Sequence, residues 1–153
     1  MTGNKILAFL QCQWFRNPDA VRAIYAKHAS DFDRRAKLNA RFLFRESLTG
    51  KRLHQAFGEL CREIIWEEVS REIGGKSSAA FPADTEHMCA VLNHHRPCAV
   101  LVFGKIAHEG MSRIDCDGAD RPYRIICGPH PAARYPSVLA DLSSMKLRLE
   151  ALR

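Results

Sequence analysis

The segment GPHPAARYP, residues 128–136, places a histidine and an arginine in a corner stiffened by prolines. His130 lies between Pro129 and Pro131, and Arg134 follows the histidine by four residues. The apolar run YRIIC precedes the segment and a helical pattern follows it, so the corner joins a predicted strand to a predicted helix. The corner is therefore rigid and cationic, and it is either a ligand-binding loop or a plain strand-to-helix connection.

The types and spacing of the other reactive residues argue against metal and nucleotide motifs. Six cysteines occur without a Cys-x-x-C pair, so a zinc ribbon or a closely spaced redox pair is not expected, and no ligand spacing supports an iron–sulfur cluster. The pair at 94–95, HH, ends a predicted helix, where a metal role would need further ligands. The chain has neither a Walker A loop nor a G-x-G-x-x-G fingerprint. We expect no metal and no other cofactor.

Length and composition limit the class of protein. A chain of 153 residues fits a single domain over 1–153 with one core, and 46% hydrophobic with 26% charged residues is ordinary for a globular protein. It has no run of about 18 apolar residues and no N-terminal cleavage signature, so we expect a cytoplasmic protein without a membrane partner. The net charge of +6 modestly favours a polyanionic partner, although many basic proteins bind no nucleic acid.

Predicted strands and helices alternate along the chain. Continuous apolar runs predict strands at 5–12 and 97–104, and PYRIIC predicts another at 122–127. The segment 62–73 fits a strand or a helix, and we choose the strand. Helices are predicted after candidate N-caps at Asn17, at Ser47 or Thr49 and at Asp84, and along a final stripe of Val138, Leu142, Met145, Leu149 and Leu152. This order predicts a three-layer α/β/α fold with a mostly parallel, roughly four-stranded central sheet.

Ligands of open parallel sheets bind beyond the carboxyl ends of the strands. That rule selects QCQWFRNP, GGKSS, GKIAH and GPHPAARY. In the first of these segments, only one of Trp14 and Phe15 can point into the core if the strand continues, so the other could stack on a base. In the third, Lys105 and His108 could contact phosphate or could simply form an exposed helix end.

Three segments resemble the uracil-DNA glycosylase superfamily. In RPCAVLVFGKIAHEG a Pro-led strand ends in Gly104, and IICGPHPAARYPSVL is similar to the strand that ends in the family's His-Pro-Ser motif. TGKRLHQAFG resembles the family's Gly-x-Arg-Leu helix start. HPAARYP is most similar to the single-strand-selective branch, in which an arginine stands four residues after the histidine. The similarity covers most of the chain in order, and the two strand ends are its specific parts.

The resemblance implies a base-flipping enzyme of DNA repair that acts as a monomer on single- or double-stranded DNA carrying a modified or deaminated base. His130 would hydrogen-bond the flipped base and stabilise its developing oxyanion, and Arg134 would wedge into the vacated stack. Pro131 would help to keep the loop rigid, so that binding costs less ordering entropy. The implied reaction is metal-independent hydrolysis of the N-glycosidic bond.

The water-positioning motif departs from the family pattern. The family places Asp, Asn or Glu after the first strand, where this chain has Gln13, or Asn17 if one insertion is allowed. Either amide could position a water but could not take its proton. Ala132 replaces the motif's serine, and the base-recognising Asn after the second strand has no evident counterpart; the nearby polar residues are Glu67, Glu68 and Ser70. The alternatives are a non-catalytic nucleic-acid or nucleotide-binding protein, or an enzyme acting on free nucleosides or nucleotides.

Overall fold

Four parallel strands form the central sheet of the protein. The structure, a computed structural model, describes residues 4–11, 14–75, 81–114 and 121–153. The strands are β1 (Ile6–Leu10), β2 (Trp14–Phe15), β3 (Ile64–Glu68), β4 (Gly74–Gly75), β5 (Ala99–Phe103) and β6 (Arg124–Gly128). The helices are α1 (Pro18–Ala26), α2 (Phe32–Glu46), α3 (Leu48–Phe57), α4 (Thr85–His95), α5 (Lys105–Ile114) and α6 (Val138–Glu150), with a short 3-10 helix at Gly58–Arg62. The sheet order is β3-β1-β5-β6, which confirms the predicted three-layer α/β class.

The sheet has an apolar core on each face. All five residues of β1 are buried, as a strand covered on both faces requires. Trp66 and Phe103 lie on the face that packs against α3 and α6, whereas Val100 and Val102 lie on the face that packs against α4 and α5. Helix α2 lies beside β3, where the Asn39 side-chain amide donates to the backbone oxygen of Trp66 at 3.0 Å.

Local capping chemistry sets the helix starts. The side chains of Asn17 and Asp84 accept backbone N–H groups at the starts of α1 and α4, which confirms both predicted caps. Ser47, rather than Thr49, caps α3. The basic segment from Ser30 to Arg45 is only weakly periodic and fits either a helix or a loop by sequence; Asp31 caps α2 there, so the segment is a helix. None of these or the other described helices combines the length and apolar composition needed to cross a bilayer.

Two sequence predictions are corrected. The composition of GGKSSAAFPAD, residues 74–84, predicts a loop, but Gly74 and Gly75 form β4 and pair with β2. Two glycines give no side-chain pattern, so the sequence carries no strand signal there. Leu152 was expected in the buried stripe of the last helix, but α6 ends at Glu150 and Leu152 is 50% exposed.

Candidate functional site

The carboxyl ends of β5 and β6 open onto a groove of about 510 Å³. Phe103 and Gly128 are register partners, so the chains leaving the two strands start side by side. This adjacency brings the predicted residues Lys105, His130 and their neighbours into one place. The groove is lined by Gly104, Lys105, His108, Cys127, Gly128, Pro129, His130 and Ala133.

Gly104 supports the histidine corner from below. Its φ is +88°, in the region that favours glycine, and its N–H donates to the backbone oxygen of Gly128 at 2.9 Å. A Cβ at this position would lie 3.0 Å from the Cβ of His130. Glycine at the end of β5 therefore allows His130 to pack closely against the backbone of Gly104, and this contact positions His130 in the groove.

Arg52, on α3, holds the corner from the side. Its Nη1 donates to the backbone oxygens of Pro131 and Ala133, at 2.8 and 2.7 Å. Nothing in the pattern of TGKRLHQAFG predicted this role for the arginine. Charge-assisted bonds of this kind are stronger than neutral ones, so the loop is held at two backbone oxygens that lie two residues apart.

The hydrogen bonds of His130 define its tautomer. Its Nδ1 accepts the backbone N–H of Ala132 at 3.1 Å, and its own backbone oxygen accepts the N–H of Ala133 at 2.9 Å. Burial lowers the pKa of His130 below its ordinary value of 6.5. The imidazole is therefore neutral at pH 7, and because Nδ1 is an acceptor, the proton resides on Nε2. Nε2–H is the donor available to a ligand.

Cationic and soft groups complete the groove. The Nδ1 atom of His108 lies 3.4 Å from the Sγ atom of Cys127. Lys105 is exposed, 3.9 Å from the carboxylate of Glu109, and Arg134 is exposed one residue beyond the lining. Arg148 donates to the backbone oxygen of Cys127 at 3.4 Å. No carboxylate is present among the described residues that line the groove.

Other predicted residues lie elsewhere. Asn17 is exposed, and its Oδ1 caps α1 by accepting the N–H of Ala20 at 3.2 Å. Phe15 packs edge-on against Phe42, with 5.4 Å between ring centroids, as part of a small apolar cluster with Tyr25. This cluster lies on the β3 side of the molecule, because β2 pairs with β4 just after β3. Gln13 and the side chain of Trp14 lie outside the described part of the chain.

Glu67 belongs to a buried polar network on the β3 side of the sheet. It is 2% exposed, and its Oε2 accepts the side-chain amide of Asn39 at 3.2 Å. The Tyr25 hydroxyl donates to Oδ1 of the same Asn39 side chain at 2.6 Å. His87 Nε2 lies 3.9 Å from Glu67 Oε2, and His95 Nε2 lies 4.0 Å from Glu67 Oε1. The adjoining space, lined by Phe15 and Glu67 among others, is about 10 Å³, which is room for one water rather than a base.

Burial controls the protonation of this network. It raises the pKa of Glu67 to about 7, against the opposing effects of Arg35 and the Asn39 hydrogen bond. Burial also lowers the pKa of His87 to about 4 and that of His95 to about 4. Both imidazoles are therefore neutral at pH 7, while Glu67 is poised between its charged and neutral forms.

Comparisons with known proteins do not assign the chain to a family. No family model, curated protein or solved structure matches the chain. Of the predicted site residues, the fold joins His130, Lys105 and Pro131 at one end of the sheet, with Arg134 beside them. It places Glu67 and Phe15 around a different space. The groove can offer a neutral N–H donor and several cations to a polar, negatively charged ligand.

Proposed function

We propose that this protein binds an extruded base of DNA in the groove between β5 and β6 and hydrolyses its N-glycosidic bond. The observation that carries the proposal is the fixed tautomer of His130, whose Nδ1 accepts a backbone N–H and whose Nε2–H is left as a donor at the groove. Breaking a glycosidic bond puts negative charge on the leaving base. A preorganised donor at the developing oxyanion stabilises that charge more than it stabilises the substrate.

The charges around the groove support a DNA ligand. Lys105, Arg134 and Arg148 surround the lining, and the whole chain carries a net charge of +6. Cations neutralise phosphates and release condensed counterions. The corner that presents His130 is already held by Arg52 and Gly104, so little ordering remains to be done when a ligand binds.

A second candidate function is base recognition without hydrolysis. Its support is the lack of a carboxylate among the described residues that line the groove. Attack by water on a glycosidic carbon is faster when a general base takes the proton, and His130 Nδ1 is occupied by the Ala132 N–H. The two functions predict the same ligand, and they differ in whether the ligand is cleaved.

The deciding experiment measures cleavage and binding on the same oligonucleotides. Single- and double-stranded DNA with one uracil, hydroxymethyluracil or hypoxanthine is incubated with the protein, and alkali then reveals abasic sites. We expect cleavage of at least one substrate, and we expect His130→Ala to slow single-turnover cleavage about 10²–10³-fold with binding retained. His130→Gln keeps an N–H donor near the Nε2 position and should recover part of the rate. His28→Ala, at a histidine outside the groove, is the matched control.

Two other outcomes would decide against hydrolysis. Binding that depends on His130 without cleavage of any substrate would favour base recognition alone. Equal behaviour of wild type and His130→Ala in both assays would refute both functions and leave the corner as a structural connection.

Arg134 has a separate test on the same substrates. A wedge matters most when the base must be extruded from a duplex, because an unpaired base costs less to extrude. Arg134→Ala should therefore slow cleavage of the double-stranded substrate more than cleavage of the matched single strand. Arg153→Ala, an exposed arginine at the far end of α6, is the control. An equal loss on both substrates would assign Arg134 to phosphate contact and not to the wedge.

A further inference from the structure

Three potential metal ligands meet where α2 begins and α4 ends. Asp33 Oδ1 lies 3.2 Å from His94 Nε2 and 3.8 Å from His95 Nδ1. The ligand atoms of the three residues all lie within 4.8 Å of one another. The histidine pair needs further ligands to hold a metal, and the fold supplies one from 61 residues earlier in the chain.

His95 is the unusual member of this cluster. It is 3% exposed, and neither of its ring nitrogens has a hydrogen-bond partner within the described part of the chain. Nδ1 faces Asp33, and Nε2 faces Glu67 Oε1 at 4.0 Å, an oxygen that is also buried and without a partner. Buried polar atoms without partners are rare, because each costs about 1–3 kcal/mol of desolvation. Three of them lie on two neighbouring side chains, and the Nδ1 that faces Asp33 points to a missing ligand.

We propose that Asp33, His94 and His95 bind a zinc ion through Oδ1, Nε2 and Nδ1. Tetrahedral zinc with bonds of about 2.0–2.1 Å places its ligand atoms about 3.3 Å apart, so the 3.2 Å pair already fits and the 3.8 Å pair must close by about half an ångström. The two histidine nitrogens lie within 4.8 Å of each other and must reach the same spacing by side-chain rotation. Zinc on Nδ1 leaves the proton of His95 on Nε2, directed at Glu67. When this pair closes from 4.0 Å to hydrogen-bond distance, the Glu67 carboxylate accepts a hydrogen bond from Nε2–H and orients the ligand, as is usual for metal-bound histidine.

The surroundings favour zinc over other cations. Two imidazole nitrogens and one carboxylate oxygen suit zinc, whereas magnesium and calcium prefer oxygen ligands. Phe32 stacks on the His94 ring with 4.9 Å between centroids and so limits its rotation. Both histidines lie in the last turn of α4, where the helix dipole favours positive charge.

Three protein ligands leave a fourth position open. Asp33 and His95 line a cavity of about 880 Å³, through which water or another small ligand can reach that position. Lys5 and Lys37 line the same cavity, so their charges favour an anionic fourth ligand. Lys5 precedes β1 and His95 precedes β5, which places the cluster near the amino ends of the strands. The inference is therefore independent of the groove at the carboxyl ends.

The test is zinc titration of untagged full-length protein, stripped of metal with a chelator and followed by calorimetry and thermal unfolding. We expect about one zinc per chain and a rise in Tm with zinc concentration. His94→Ala and Asp33→Asn should each weaken zinc binding at least tenfold, and Glu67→Gln should weaken it about 10–100-fold. His28→Ala should bind as wild type does. Cobalt bound in place of zinc should give the visible absorption of a tetrahedral site.

The variants separate this site from the cysteines. His94 and Asp33 are exposed, so their substitution should leave the fold intact, which circular dichroism checks. Zinc held by cysteines would bind equally well to wild type, His94→Ala and Asp33→Asn, and that result would overturn the proposal. No binding of zinc by the folded wild-type protein would overturn it as well.

Discussion

Replacing Arg52 tests whether one side chain holds the histidine corner in place. Arg52→Met keeps most of the side-chain length and removes both hydrogen bonds to the backbone oxygens of Pro131 and Ala133. A hydrogen bond to a charged group contributes about 1.5–3 kcal/mol, and because Arg52 is only half-buried we expect a combined loss of about 2–4 kcal/mol in the free energy of unfolding. For a chain of this length, each kcal/mol lowers Tm by roughly 2–4 °C.

Two further variants calibrate this loss. Arg52→Lys keeps the charge but lacks the guanidinium fork, so it should lose about half as much as Arg52→Met. Arg62→Met removes an exposed arginine that pairs with Glu59 at 3.2 Å, and it should cost less than about 1 kcal/mol. Urea unfolding gives the free energies, and the His130 imidazole resonances report the corner itself. If Arg52→Met were no less stable than Arg62→Met, with unchanged resonances, Arg52 would not position the corner.

Three further predictions test other parts of the structure. Gly104→Ala should displace His130 and cost about 1–3 kcal/mol, whereas Gly58→Ala, also at positive φ but facing open space, should cause strain without changing DNA binding. DNA affinity should fall with salt with a log–log slope of about −0.7 to −0.9 per phosphate contact; a flat salt response would refute phosphate binding. Burial lowers the pKa of His87 to about 4, so as pH falls from 6.5 towards 4 the unfolded chain protonates this histidine before the folded chain does. Wild type should therefore lose up to about 3 kcal/mol of unfolding free energy relative to His87→Gln, as measured by urea unfolding. A difference that does not change with pH would refute this.

The elements of the fold were predictable because their signals are local. The apolar runs of β1 and β5 and the caps at Asn17 and Asp84 need only a few neighbouring residues to be recognised. The two-residue pairing of β2 with β4 was not predicted, because Gly74 and Gly75 carry no side-chain pattern. The partner strand β2 has only two residues, which are too few for an alternating pattern to be recognised.

The sequence predicted most of the residues that line the groove but not the contact that holds its histidine corner. Parallel neighbours bring their carboxyl ends together, so the rule for open sheets selected Lys105 and His130 before their adjacency was known. The contact of Arg52 with Pro131 spans 79 residues and depends on how α3 is rotated about its axis. Helical periodicity identifies the face of α3 that is buried, but it does not specify which backbone oxygens its arginine reaches.

Glu67 lies away from the groove because of the position of its strand in the sheet. It was considered for base contact because the resembling family has a base-recognising Asn after its second strand, and Glu67 is one of the polar residues near that place in this chain. In the structure β3 is the edge strand on the far side of β1 from β5 and β6, so Glu67 faces α4 and α2 instead. Its contact with a base is untested, and the small space beside it would have to open first.

The two polar clusters call for ligands of opposite charge. At the groove, His130 presents an N–H donor among exposed arginines and a lysine, so a ligand there must supply acceptors and negative charge. At the α2–α4 cluster, the unpartnered Nδ1 of His95 faces the carboxylate of Asp33, so a ligand there must supply positive charge. The proposed polyanion at the carboxyl ends and the proposed zinc near the amino ends of one sheet would therefore bind without competing. DNA affinity measured with and without zinc should show no direct competition, and displacement of one by the other would mean that the two sites are not separate.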